Sequence, residues 1–290
     1  MSVPSTSLPV AALAAALVAL TALPAAAAPD REEAVTVAGL ATSPLAASGP
    51  GDLDWFLRST SAPTNHSATR VDDFGNIDAG DFPLVCDIDP AVGQEEPFLV
   101  NGNQFVGMRA DGGSVFFGRS TDYPLCGDWD GDGVDTPAVV RDNKFFFADT
   151  NTSGSSARTQ TFGRADDFPL VGDWDGDGVD TIGVVRGNVF FLSDVPVGAG
   201  AARAQQKVRL GHVDDFPAVG DWDGDGRDDL GVVRASTWFL TRATEISGTT
   251  LTSYPVTTKL SFGRAETDLP VAGDWDGDGA DTPGVVRVEF

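Results

Sequence analysis

Past residue 50 the chain alternates short apolar runs with turn-forming residues. Runs such as Gly183-Val184-Val185-Arg186 and Val189-Phe190-Phe191-Leu192 are β-branched or aromatic and are bounded by Gly, Asp, Asn and Pro. That is the pattern of short strands joined by tight turns. No segment there carries the apolar spacing of an amphipathic helix. The predicted fold class is all-β. Before residue 50 the pattern differs: from Leu8 to Ala28 there is no charge, Ala, Leu and Val dominate, and the stretch closes on Ala25 to Ala28 ahead of Pro29 and Asp30. An apolar core ending at small residues is the form of an export signal, although no Lys or Arg precedes Arg31 to supply the usual basic start. The run approaches the ~20 residues of a membrane helix, but its alanine content leaves it weakly hydrophobic. Residues 1–28 are therefore read as a signal peptide, 29–50 as an Ala/Ser/Gly/Pro linker and 51–290 as the folded unit of a secreted or extracellular protein.

Within 51–290 one unit recurs five times. Phe117-Gly118-Arg119 leads to Asp122-Tyr123-Pro124-Leu125, then to Gly127-Asp128-Trp129-Asp130-Gly131-Asp132-Gly133, then to Val139-Val140-Arg141. The same order runs from Phe162 to Arg186, Leu210 to Arg234 and Phe262 to Arg287, with a worn copy from Phe74 to Asp89. The first Asp of each loop stands at 87, 128, 173, 221 and 274. A period of about 45 residues suits a four-stranded propeller blade. The last copy stops at Val285 to Phe290, and the chain's first strand, Trp55-Phe56-Leu57-Arg58, matches Trp238-Phe239-Leu240-Thr241. Pairing the two ends completes one unit and removes free sheet edges. The expectation is a β-propeller of five four-stranded blades closed by N- and C-terminal strands, with a larger incomplete ring or an open stack as rivals.

Charge narrows the partners. With 43 acidic against 19 basic side chains and a net charge of −24, the chain would repel a phosphate backbone, so nucleic acid is excluded as a partner. Two cysteines without paired Cys/His spacings exclude structural zinc.

The acidity is concentrated in four loops that spell Asp-Trp-Asp-Gly-Asp-Gly-x-Asp. Carboxylates at positions 1, 3 and 5, a turn glycine at 6 and a carbonyl at 7 make an oxygen cage for a hard cation, and calcium is the expected ion, about four per chain. The ligands are Asp128, Asp130, Asp132 and Val134; Asp173, Asp175, Asp177 and Val179; Asp221, Asp223, Asp225 and Arg227; Asp274, Asp276, Asp278 and Ala280. In the first unit Asp87 and Asp89 run into Pro90 and Ala91, so that loop is expected to be empty unless Glu95 or Glu96 rescues a weak site. A solvated acidic surface would not place Gly at position 6 four times. Extracellular calcium modules bind at about 10⁻⁴ to 10⁻³ M. Free calcium tenfold above Kd contributes roughly 1.4 kcal/mol per loop, on the order of 6 for four independent loops, so the ions are expected to be structural.

The Phe-Gly pairs (Phe117-Gly118, Phe162-Gly163, Phe262-Gly263) and the Asp-rich loops make residues 51–290 resemble the FG-GAP/VCBS repeat family, the calcium-loop propellers that include the integrin α-subunit N-terminal propeller and some propeller lectins. The resemblance implies a fifth ligand, an Asp, at position 9. This chain instead has Asp at position 8 (Asp135, Asp180, Asp228, Asp281) and Thr at 9, with Asp229 the exception. The fifth ligand therefore stays open between position 8, position 9 and water.

Other recurring residues have simpler readings. Trp129, Trp174, Trp222 and Trp275 lie at loop position 2, between ligands, and are expected between blades rather than against sugars, as are Trp55 and Trp238. Arg141, Arg186, Arg234 and Arg287, with Arg119, Arg164 and Arg264, are expected to pair with neighbouring Asp. Cys86 and Cys126, one residue apart in repeat register, either form a disulfide between neighbouring blades or are two small buried residues. His66 and His212 lack the surroundings of a catalytic base, and no Gly-x-Ser-x-Gly or His-Glu-x-x-His motif is present. The expectation is a secreted, monomeric, non-catalytic binding, adhesion or scaffold module for an extracellular protein or glycan. A calcium-dependent propeller lectin is the alternative, and an extracellular glycoside hydrolase the more distant one.

Overall fold

The computed structural model describes residues 52–58, 68–71, 81–89, 93–109, 112–155, 157–242, 250–265 and 268–289. The signal peptide and linker read over 1–50 lie outside the described residues, as does His66.

Each repeat folds into one antiparallel sheet. Blade I comprises Asp81–Cys86, Glu96–Asn101, Gln104–Val106 and Val115–Phe116; blade II Tyr123–Gly127, Thr136–Arg141, Lys144–Ala148 and Ala157–Thr161. Blade III comprises Phe168–Gly172, Thr181–Arg186, Val189–Leu192 and Gln206–Arg209; blade IV Phe216–Gly220, Asp229–Arg234, Thr237–Leu240 and Thr258–Ser261. Blade V joins the chain's two ends: Asp268–Gly273 and Thr282–Glu289 are followed in the sheet by Asp52–Arg58 and Ala68–Val71, with Trp55 opposite Val286 and Leu57 opposite Gly284. The first strands of neighbouring blades touch in turn, and that of blade V touches that of blade I, closing a five-blade ring. The propeller closes by the end pairing that the fragments at residues 55 and 285 predict.

Proline opens each first strand, as in Tyr123-Pro124 and Phe168-Pro169, and this is tolerated because that strand is its sheet's inner edge, where one side of the backbone has no ladder partner. The side chains of each sheet bury against the next blade. Ile182 and Val184 of blade III pack with Trp129, Phe145 and Phe147 of blade II, and Leu99 of blade I packs with Trp55, Leu57 and Val286 of blade V. The core is thus a set of five interblade layers. Trp129, Trp174, Trp222, Trp55 and Trp238 are all buried in these layers and Trp275 is half-buried, Trp129 meeting Phe147 edge-on at 4.8 Å. Cys86 and Cys126 are bonded, tying the end of the first strand of blade I to the first strand of blade II.

One feature exceeds four strands per blade. Thr252–Ser253, from the long connection of blade IV, lies parallel to Gln206–Arg209 at the outer edge of blade III. No helix among the described residues is long and apolar enough to cross a membrane.

Candidate metal centre

Every first strand runs from one end of the ring to the other, so all the Asp loops, which follow it, share one end. In blade II the position-1 carboxylate organises the loop: Asp128 Oδ1 accepts the N–H of Asp130 (3.3 Å), Gly131 (2.8 Å) and Asp132 (3.2 Å), and Oδ2 accepts that of Gly133 (2.7 Å). Asp173, Asp221 and Asp274 accept the N–H groups of positions 4, 5 and 6 in their own loops. Bringing these N–H groups onto one carboxylate turns the backbone left-handed at position 4 as well as 6: Gly131 has φ 75° and Gly133 φ 80°. The glycine at 4 is therefore as necessary as the one at 6.

The result is four triads in register. Carboxylate oxygens of Asp128, Asp130 and Asp132 lie within 4.8 Å of one another, as do those of Asp173/Asp175/Asp177, Asp221/Asp223/Asp225 and Asp274/Asp276/Asp278. Asp175 and Asp276 have their carboxyls pushed up, first by burial and then by the two acidic neighbours of each. An all-oxygen donor set, pre-bent by backbone N–H bonds and short of positive charge, fits a hard cation such as calcium, which would relieve that repulsion. The position-7 residues Val134, Val179, Arg227 and Ala280 each donate their N–H to the position-5 carboxylate of the same loop.

Position 8 does something else. Asp180 Oδ2 accepts the N–H of Asp128 in the preceding blade at 2.8 Å, and Asp180 N–H donates to the Asp128 carbonyl at 2.7 Å. Asp135 makes this pair of bonds with Asp87, Asp228 with Asp173 and Asp281 with Asp221. The four aspartates read from sequence as ligand candidates thus latch neighbouring blades together, each with one carboxylate oxygen on the backbone of the preceding blade. Glu95, considered as a rescue ligand for the worn loop, is the fifth latch: its Oε2 accepts the N–H of Asp274 and its N–H donates to the Asp274 carbonyl, both at 3.1 Å. In blades II to V the latch oxygen lies against the glycine that ends the first strand. A Cβ on Gly172 would stand 2.6 Å from Asp228 Oδ2, and one on Gly220 2.6 Å from Asp281 Oδ2. Asp229 is likewise outside its triad, buried at the start of the second strand of blade IV, where burial and its charge push the Tyr254 phenol up to about 12.

The five latch carboxyls share one environment. Burial raises all of them, Asp180 and Asp281 to about 7 and Glu95, Asp135 and Asp228 well above the ordinary range. Mutual repulsion adds to this, Asp281, Asp135 and Asp228 acting on Glu95.

The opposite end of the ring carries the arginines. Arg141 grips Asp122 with Nε to Oδ1 at 2.8 Å and Nη2 to Oδ2 at 2.5 Å, and its guanidinium lies 4.7 Å from the Phe146 ring centre. Arg186 with Asp167, Arg234 with Asp215 and Arg287 with Asp268 repeat the fork. Asp122, Asp167 and Asp268 also accept the N–H of Arg119, Arg164 and Arg264, so those arginines contribute backbone while their side chains stay exposed. His212 occupies the same slot, giving its N–H to Asp215. The Arg234 fork, with the His212 N–H, holds the Asp215 carboxyl below the ordinary range against the effect of burial. Phe82, Tyr123, Phe168 and Phe216 meet edge-on in an arc around the axis at this end. A cleft of about 410 Å³ opens beside it, lined by Phe82, Ser120, Thr121, Tyr123, Arg141 and Asp142 among others.

No family model and no curated protein matches this sequence. Among solved structures, the Photorhabdus luminescens Tc holotoxin pore is similar at 16% identity and TM-score 0.41 over 81% of this chain, which spans 13% of that chain's length. An Agrocybe aegerita lectin, solved for its recognition of non-reducing terminal N-acetylglucosamine, is similar at 14% identity and TM-score 0.43 over 83% of this chain and 73% of its own. At such distances neither likeness bears on what this chain binds.

Proposed function

We propose that this chain is a secreted, calcium-stapled propeller of the FG-GAP/VCBS type that works as a non-catalytic binding or scaffold module outside the cell. The observation that supports it best is the set of four carboxylate triads in register on one end of a closed ring. In each triad the positions 1, 3 and 5 carboxylates would hold the ion, and the ion would supply the charge that lets these side chains stay folded together. Stapling one end leaves the other, with its cleft beside Tyr123 and Arg141, as the surface offered to a partner. The buried loop tryptophans are spent on interblade packing, which favours a protein partner over stacked sugars.

The test is binding of the purified protein to a panel of glycans and cell-wall polysaccharides and, in parallel, to extracellular protein extracts, in millimolar calcium and after chelation. Calcium-dependent capture of protein with silence on sugars is the expected result. Capture of a related set of sugars would make the chain a lectin instead. Turnover of a bound polysaccharide would contradict the non-catalytic reading.

A further inference from the structure

The triads of blades II, III and IV are not electrostatically equal, and one position in the blade makes the difference. After its third strand the chain keeps following the second strand toward the Asp loop: Ser193 N–H donates to the Ile182 carbonyl at 3.1 Å, and Thr241 N–H to the Leu230 carbonyl at 2.9 Å. The next residue therefore arrives at the loop. It is Asp149 in blade II, Asp194 in blade III and Arg242 in blade IV.

In blade IV, Arg242 Nη1 stands 3.3 Å from Oδ2 of Asp223, the position-3 carboxylate. A cation covalently part of the chain already sits against this triad. In blade III the same position adds an anion. Asp194 Oδ1 is buried and accepts no hydrogen bond, and Oε1 of the adjacent, buried Gln206 is in the same state. After burial, the charge felt most strongly by Asp194 is that of Asp175, with Asp177 and Asp173 also contributing. A side-chain hydrogen bond from Gln206 eases Asp194 only in part, and the two acceptor oxygens left without donors, beside three carboxylates, leave a demand for positive charge. Arg227, whose stem lies over Gly176, offers blade III a partial counter-charge, but its pull on Asp175 is weaker than the push of Asp177 and Asp173. In blade II the added anion is neutralised, because Asp149 holds Arg158 Nε at 2.8 Å.

We infer that this position beyond the third strand ranks the calcium loops, Asp194 strengthening the blade III loop and Arg242 acting as a resident counter-ion that makes the blade IV loop the last to fill. The inference rests on the calcium reading proposed above. It is tested by calcium titration of the full chain, with heat and bound-ion count followed together by calorimetry and native mass spectrometry, for the wild type, Arg242→Gln and Asp194→Asn. Arg242 is more than half exposed, so its replacement leaves the core intact. The wild type is expected to take up three ions ahead of a fourth. Arg242→Gln should tighten that last site by roughly fivefold, the scale of a partly exposed ion pair. Asp194→Asn should weaken one of the earlier sites by a comparable factor and leave the other three unchanged. Four ions bound with both variants matching the wild type, or a shift from one variant alone, would overturn the ranking while leaving calcium binding intact. No uptake by the wild type would overturn the calcium reading and the ranking together.

Discussion

In blades II to V the chain leaves the first strand through glycine and enters a loop of three clustered carboxylates. In blade I it leaves through Cys86 and meets only Asp87 and Asp89 before Pro90 and Ala91. Yet the junctions on both sides of blade I are latched like every other. Asp135 holds the backbone of Asp87, and Glu95 holds that of Asp274. Among the described residues blade I has the latch without a carboxylate triad, so the two are separate devices. What stands in for the cage is covalent: at the position where the other first strands end in glycine, Cys86 turns its side chain into a disulfide with blade II.

Among changes at a single blade junction, removal of that covalent substitute should have the largest effect. Replacing both Cys86 and Cys126 with serine opens a link across 40 residues of chain and is expected to cost about 2–4 kcal/mol. Thermal melting should register the loss with or without calcium, since the disulfide serves the junction at which blade I has no triad. A melting temperature unchanged by the double substitution would remove the disulfide from the account.

Separating latch from cage is the next step. Glu95→Ala leaves the Asp274 N–H without its acceptor, an expected loss of about 1–3 kcal/mol. Glu95→Gln keeps an acceptor and removes a charge that burial and Asp281, Asp135 and Asp228 disfavour, so it should be neutral or stabilising. Equal losses in urea unfolding for the two variants would contradict a hydrogen-bonded latch.

A smaller effect separates the intact loops from the worn one. Asp130→Asn should cost roughly 1.4 kcal/mol in calcium and nothing in chelator. Asp89→Asn, its counterpart in blade I, should have the same effect in calcium as in chelator. The pH dependence is a separate test of the latches. In chelator the Asp180 and Asp281 carboxyls titrate at about 7 when folded, against about 4 when unfolded, and the other latch carboxyls are raised in the same direction, so the folded state binds more protons between those values. Stability should then fall as pH rises from about 4 to 7, and melting in chelator should occur at higher temperature at pH 5.5 than at pH 7.5. The opposite order would mean that the latches are ionised at little cost.

Much of this was legible in the sequence because the repeat writes the same local chemistry several times. Strand pattern and end matching gave the five-blade closure, and the spacing of Asp128, Asp130 and Asp132 gave the triads. The forks of Arg141 and its equivalents, and the burial of Trp129, followed from ordinary pairing and packing. The latch was not legible, because whether Asp135 or Asp180 turns toward its own loop or the preceding blade depends on how the blades dock. The trace it left was the recurrence of Asp at position 8, where the family resemblance places a ligand at 9. Glu95 was harder still: it stands one residue later in its loop, and its longer side chain makes the reach. Asp194 and Arg242 lay outside every repeated motif, and the parallel strand Thr252–Ser253 has no pattern in the sequence to announce it.

The proposal that cations staple the triad-bearing end of the ring is tested most directly by the melting temperature of the protein in millimolar calcium against the same protein in chelator. With four loops each contributing roughly 1.4 kcal/mol, the account predicts a rise of about 10–20 °C in calcium, and a smaller one in magnesium, which fits flexible oxygen cages poorly. Coincident melting curves in calcium and chelator would contradict it.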